Sequence, residues 1–279
     1  MSIYANQLSK RILLVIGLFF VGQAGAAEHI NVAATTEFAD IHPGEPGILA
    51  ITIEIDADWH TYWPGVSDSG YGLDLDIHAS PAITLEDPIW PTPTRYLQPG
   101  SILDFIYEDT IVVLVPFMVN DDAHPGEVFN FDIELDALVC EEVCIPETSS
   151  AVASIEVIDS QTTPTPSASS KAIRKAFDAR PIPFDAQADH VRVQWIADRA
   201  AIMFREATKI EFFPATTCTQ LAEPITSTTI DTNRLIIKFA STEDKVLAGR
   251  IRSHEPGGPI DYDIHITPAD SPQKRRTTP

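Results

Sequence analysis

The stretch from Phe129 to Ile158 constrains this chain more than any other. Phe129–Val139 (FNFDIELDALV) alternates apolar and polar residues, and Ala151–Ile158 (AVASIEVI) does the same. That two-residue period is the pattern of a half-buried strand. Between the two runs stand Cys140 and Cys144, two of only three cysteines in the chain. Within one extended strand, residues four apart lie about 13 Å from each other. A disulfide needs Cα atoms within about 7 Å. A turn at Glu141-Glu142-Val143 satisfies both facts, because it folds the runs into a hairpin and sets the cysteines face to face at its mouth. Such a pair can store two electrons, or it can simply pin the hairpin. Spacing alone leaves both readings open.

The N-terminus reads as a secretory leader. Lys10 and Arg11 precede an apolar core, Ile12–Val21, that is too short for a comfortable bilayer span. Ala24-Gly25-Ala26 supplies a cleavage signal, so the mature chain is expected to begin at Ala27 or Glu28. The alternative is an uncleaved N-terminal anchor. No cysteine follows the core to take a lipid, and no later run is apolar enough to span a bilayer. The expected product is exported, soluble and free of membrane insertion after cleavage, in a compartment where disulfides persist. The chain carries 40 acidic against 19 basic side chains, a formal net charge of -21. Removing the leader takes away two positive charges and no acid. Nucleic acid and anionic lipid surfaces need clustered Lys and Arg, so the acidic balance argues against both as partners.

Organisation follows from pattern and punctuation. Residues 28–159 read as short strands separated by Pro- and Gly-rich turns: His29–Ala34, Gly47–Ile55, Leu73–His78, Thr110–Val119 and the hairpin. No ten-residue window there has a helical period, which argues for an all-β sandwich. Residues 160–183 read as a linker, Pro- and Ser-rich over 160–170, followed by a short helix. Ser169 or Ser170 is its expected cap, and Ala172, Ile173, Ala176 and Phe177 form its apolar face. A second, smaller β-rich domain is expected over 184–268, with strands near 190–196, 200–204, 209–213, 234–240 and 262–266. Residues 269–279 read as a disordered tail.

Several ordered motifs share one resemblance. They are Trp59-His60-Thr61-Tyr62-Trp63 with Pro64-Gly65 and Asp68-Ser69-Gly70; Pro88-Ile89-Trp90-Pro91-Thr92-Pro93 with Arg95-Tyr96; Tyr107-Glu108-Asp109; and Leu138-Val139-Cys140-Glu141-Glu142-Val143-Cys144-Ile145-Pro146. Together they resemble the N-terminal periplasmic domain of DsbD-type thiol:disulfide interchange proteins, in the style of the ScsB-like branch. Ile210-Glu211-Phe212-Phe213-Pro214 looks like that branch's second β-domain. The resemblance implies an immunoglobulin-like sandwich in the periplasm. It also implies that Cys140 and Cys144 exchange electrons with thioredoxin-like proteins, and that Phe105 or Tyr107 lies in a loop capping the cysteines. The sequence carries neither the membrane electron-transfer domain nor the C-terminal thioredoxin domain that the resemblance would imply, which leaves the electron source open, a separate membrane donor being one candidate partner.

The remaining candidates are weighed against ordinary structural roles. Glu141 and Glu142 disfavour a thiolate and favour the disulfide, which suits an electron donor. Asp104, Glu108 and Asp109 read as solvated loop acids, and His60 as a packed or hydrogen-bonded residue rather than a general base. Trp59, Tyr62, Trp63 and Trp90 fit either a core or a partner-facing rim. Cys218 reads either as a buried free thiol or, in an exported protein, as the source of an intermolecular bond. One C-x-x-x-C without a second pair or a His cluster does not make a metal site, and no cofactor motif is present. The expected function is a soluble periplasmic thiol:disulfide exchange module, in the manner of a protein-disulfide reductase component. The alternative is a non-catalytic periplasmic protein-binding module that keeps a structural disulfide.

Overall fold

A computed structural model describes residues 29–222, 229–230 and 232–270. The expected leader, and all of the expected tail beyond Asp270, lie outside the described residues. The first unit runs through β1 (Ile30–Thr36), β2 (Asp40–Ile41), β3 (Pro46–Ile55), β4 (Thr61–Tyr62), β5 (Asp74–Ala79) and β6 (Ile83–Leu85). It continues with β7 (Thr94–Gln98), β8 (Ile102–Tyr107), β9 (Thr110–Val119), β10 (Val128–Cys140) and β11 (Cys144–Val157). These form sheets of order β1-β3-β9-β6 and β2-β11-β10-β5, plus a small β4-β8-β7 sheet. The two larger sheets face each other as an immunoglobulin-like sandwich. Alternate residues of β10 (Phe131, Ile133, Leu135, Ala137 and Val139) are buried against Leu49, Ile51 and Ile53 of β3 and Val113, Val115 and Phe117 of β9. The Phe117 and Phe131 rings, 5.0 Å apart, join the two layers at the middle.

The stretch from 160 to 183 is not an open tether. Ala39 N–H donates to the Thr165 carbonyl, Ser167 N–H to Glu37, and Thr165 N–H to the Asp40 carboxylate. These bonds lay the segment along the edge of the sandwich. The helix α1 (Ser170–Asp178) follows, with Ser169 at its N-cap position, although the Ser169 side chain makes no capping bond. Ile173 is buried among Ile48, Ala50 and Leu114, so α1 covers the outer face of β3 and β9. That explains why those two strands are apolar on both faces. Arg174 pairs with Glu37, which is itself buried. Among the described residues, no helix is long and apolar enough to cross a membrane.

The second unit comprises β12 (Ile182–Pro183), β13 (Val191–Ile196), β14 (Arg199–Phe204), β15 (Lys209–Pro214), β16 (Thr229–Ile230), β17 (Arg234–Lys238), β18 (Leu247–Glu255) and β19 (Gly258–Ile266). Its sheets have the orders β12-β19-β18-β15-β16 and β13-β14-β17. Sequence pattern does not reveal β18, the central strand of the larger sheet, because LAGRIRSHE is too charged to look internal. Its charges are neutralised across the ladder: Arg250 Nε donates to Asp263 at 2.8 Å and Arg252 bonds Asp261 through two nitrogens. Gly249 sits at φ +144°, where a Cβ would lie 2.1 Å from the Phe213 carbonyl oxygen.

The two units share a joint. Phe213 belongs to the core of the first sandwich and meets the edge of Phe105 at 5.3 Å. Val66 N–H donates to the Pro214 carbonyl at 3.0 Å, and Trp63 Nε1 donates to the same oxygen at 3.4 Å. Buried Arg250 donates to the Trp90 carbonyl at 2.8 Å and lies 5.7 Å from the centre of the Trp63 ring. Because α1 seals one outer face, Ile173→Ala is expected to cost about 2–5 kcal/mol in urea unfolding. Native-state proteolysis should spare 160–179 in the parent and cleave it in the variant. Equal cleavage of both proteins would contradict this packing.

Candidate thiol–disulfide site

The hairpin turns over where the sequence places it. The β10–β11 ladder runs in unbroken register from Val128 opposite Glu156 to Cys140 opposite Cys144. The facing cysteines, with Cα atoms 4.1 Å apart, form a disulfide. Glu141, Glu142 and Val143 make the exposed turn, and Val143 is 69% exposed. The two sulfur-bearing residues differ in access: Cys140 is 2% exposed, whereas Cys144 is an exposed residue. Alternation accounts for the site's position. Ala137 and Val139 point into the sandwich core, so Leu138 and Cys140 occupy the opposite face.

That opposite face is covered by the Trp59–Trp63 segment. His60 and Cys140 exchange both backbone bonds, with N···O distances of 2.9 and 2.8 Å. The Thr61 hydroxyl donates to the Leu138 carbonyl at 3.1 Å. Tyr62 is thereby laid over the disulfide, with its hydroxyl 3.4 Å from Cys140 Sγ and 3.9 Å from Cys144 Sγ. A disulfide sulfur has no hydrogen, so the phenol donates. Burial pushes the Tyr62 phenol above its ordinary value, which keeps it a donor at neutral pH. Ile106 closes the cluster from β8.

His60 is 9% exposed, its Nε2 is buried, and that atom has no hydrogen-bond partner. Its ring lies 5.6 Å from Tyr62 and 5.3 Å from Tyr96 of β7, which is 38% exposed. An unsatisfied buried polar atom costs about 1–3 kcal/mol. Burial holds His60 below its ordinary pKa near 6.5, while the charges of Glu108 and Asp104 pull the other way.

The structure brings Cys140 and Cys144 together but places Phe105 and Tyr107 elsewhere. Residues on β8 alternate, and Ile106 is the one that faces Cys140. Phe105 instead enters the core against Phe213. Tyr107 is buried, donates its hydroxyl to the Pro91 carbonyl at 2.6 Å, and stacks on Trp90. Neither ring therefore caps the cysteines as expected; the ring that this small sheet lays over the sulfurs is Tyr62 of β4, and Tyr96 of β7 meets the His60 ring. Asp104 also departs from expectation. It is fully buried and accepts bonds from Ser69 N–H and hydroxyl and from Gln98. Glu108 and Asp109 are exposed, as loop acids should be.

Trp63 is core and Trp90 half-buried, while Trp59 stacks on His29 at 3.7 Å. Sequence reading missed that His60 and Tyr62 lie together beside the disulfide. Their spacing of two, which puts both side chains on one strand face, was the available signal. Cys218 is a half-buried free thiol donating to the Val246 carbonyl at 3.6 Å, and burial raises its pKa. Among the described residues, no group of three or more His, Cys, Asp or Glu is arranged to hold a metal ion.

An all-β sandwich with a disulfide at an exposed hairpin tip defines the class. Residues 29–155 match the family described as "Thiol:disulfide interchange protein DsbD, N-terminal", so this part of the chain is similar to a DsbD-type N-terminal domain. The N-terminal periplasmic domain of ScsB from Proteus mirabilis has the same fold over 86% of this chain and 94% of its own, at 16% identity and a TM-score of 0.54. The reduced DsbD N-terminal domain of Neisseria meningitidis aligns over 41% of this chain and 79% of its own, at 17% identity and a TM-score of 0.26. The same domain in complex with the PilB N-terminal domain aligns over 42% and 79%, at 15% identity and a TM-score of 0.25. No curated protein sequence matches the chain.

His60 makes stability depend on pH with a definite sign. Its folded pKa is depressed, so between the ordinary value and the folded value the unfolded chain binds more protons. Stability therefore falls as pH drops through that window and levels off below it. Urea unfolding of the oxidised protein from about pH 7.5 down to about pH 5 should show a shallower decline for His60→Asn than for the parent. Identical slopes would contradict the assignment.

Proposed function

We propose that this chain is a periplasmic thiol:disulfide exchange module that passes electrons to or from thioredoxin-like proteins through Cys140 and Cys144. The unequal access of the two cysteines carries the reading. Cys144 stands at the exposed tip, and Cys140 lies beneath Tyr62. A structural staple has no need of an exposed cysteine, whereas exchange requires one within reach of an incoming thiolate. The similarity of residues 29–155 to a DsbD-type domain supports the same reading.

The chemistry follows from that asymmetry. A partner thiolate attacks Cys144 Sγ, the disulfide breaks, and a mixed disulfide forms. The electron pair departs on Cys140 Sγ, beside the donating Tyr62 hydroxyl. In the opposite direction, the Cys144 thiolate attacks a partner disulfide and Cys140 resolves the complex, so that the pair is oxidised as the partner is reduced. A membrane-embedded dithiol is the electron source this reading calls for. The acids at the turn, Glu141 and Glu142, favour the oxidised pair and so favour giving electrons away.

Cys140→Ala keeps the attacked sulfur and loses the resolving one. It should accumulate a dithiothreitol-sensitive complex with a thioredoxin-like partner, while Cys144→Ala should not. The double variant, with Cys218 left in place, is the control. If neither single variant traps more than the control, the disulfide is structural and the chain is a binding module. A second measurement is the midpoint potential of the pair, expected to lie above the roughly -300 mV typical of structural disulfides.

A further inference from the structure

His60 is the one side chain beside the disulfide whose interactions the exchange chemistry leaves unexplained. It is buried, its Nε2 has no partner, and its neighbours do not supply one. Its position makes that orphan nitrogen informative. Residues that exchange both backbone bonds in an antiparallel pair lie opposite each other, with Cα atoms roughly 5.5 Å apart and side chains on one face. His60 stands in that relation to Cys140, and Cys140 stands opposite Cys144 in turn. His60, buried Cys140 and exposed Cys144 therefore form a row across three adjacent chain segments.

We propose that His60 is the proton-holding partner of Cys140 in the reduced site, forming an imidazolium–thiolate pair there. The inference rests on the exchange reading above and extends it to the protons. When a partner dithiol reduces the disulfide, the electron pair of the broken bond ends on Cys140 Sγ. That sulfur is buried, so an isolated thiolate there is strongly disfavoured. The balancing proton is taken up from solvent at the His60 ring. The pair is then neutral overall, and the orphan nitrogen gains its hydrogen-bond partner.

On re-oxidation the sulfur loses its negative charge, and the ring gives up its proton. The other groups facing His60 do not perform this task. Tyr62 and Tyr96 are phenols, Asp104 is already occupied by Ser69 and Gln98, and Glu108 is exposed beyond the end of β8. Depression of the His60 pKa in the oxidised site suits the role, because the ring is neutral and unpaired until the sulfur charge appears.

The test uses the unmodified full chain. Its His60 ring signal, assigned by comparison with His60→Gln, is titrated by NMR in the oxidised form and again after dithiothreitol reduction. The expected result is a midpoint about one pH unit or more higher in the reduced protein, a tenfold change in proton affinity coupled to the redox state. An unchanged or lowered His60 midpoint on reduction overturns the proposal, whatever the variant does. The exchange reading fails separately: if the single-cysteine variants trap nothing but His60 still shifts, exchange is wrong and the proton pairing stands. If they trap a partner and His60 does not shift, exchange stands and the proton pairing is wrong.

Discussion

Strict alternation along β10 sets the direction of nearly everything else in the first unit. One row of its side chains is taken up by the sandwich core and cannot face the solvent without unfolding it. The other row is free to carry Leu138 and Cys140, and β11 brings Cys144 to the same face. A slip of one residue in the β10–β11 ladder would bury a polar row and aim Cys140 into the core. The hydrophobic contacts of Phe131, Ile133 and Leu135 therefore fix where the sulfur points, although they lie well away from it.

The second unit extends this constraint to the segment covering the disulfide. Trp63 ends the Trp59–Trp63 run that carries His60 and Tyr62, and it is held by the Pro214 carbonyl and by Arg250. Arg250 is nearly inaccessible and is satisfied from both units, through Asp263 on one side and the Trp90 carbonyl on the other. A buried guanidinium left without either partner is costly, so the two units favour one relative placement. The cover over the cysteines is thus braced from outside the sandwich that bears them.

Much of this was legible in the sequence because it rests on short-range pattern. The strands around 129–139 and 151–158, the turn at Glu141-Glu142-Val143 and the facing cysteines all follow from period and spacing. What escaped depends on contacts far apart in the chain. Phe105 and Tyr107 look like loop aromatics until β8 pairs with β4 and turns them inward. Asp104 reads as a solvated acid until Ser69 and Gln98 fold over it. Strand β18 hides behind arginines whose aspartate partners lie on the next strand. Residues 160–170 look like a tether because their hydrogen bonds run to a sheet edge more than a hundred residues earlier.

The cysteine pair closes a ladder that is already held by backbone hydrogen bonds on both sides, from β11 and from His60. Cutting the sulfur–sulfur bond removes one tie among many and leaves the register intact. The molecule should keep the same outline in both oxidation states. On the exchange reading, a docking protein then has almost no change of shape to read. It must tell a reduced site from an oxidised one by the sulfur itself and by the charge gathered around it.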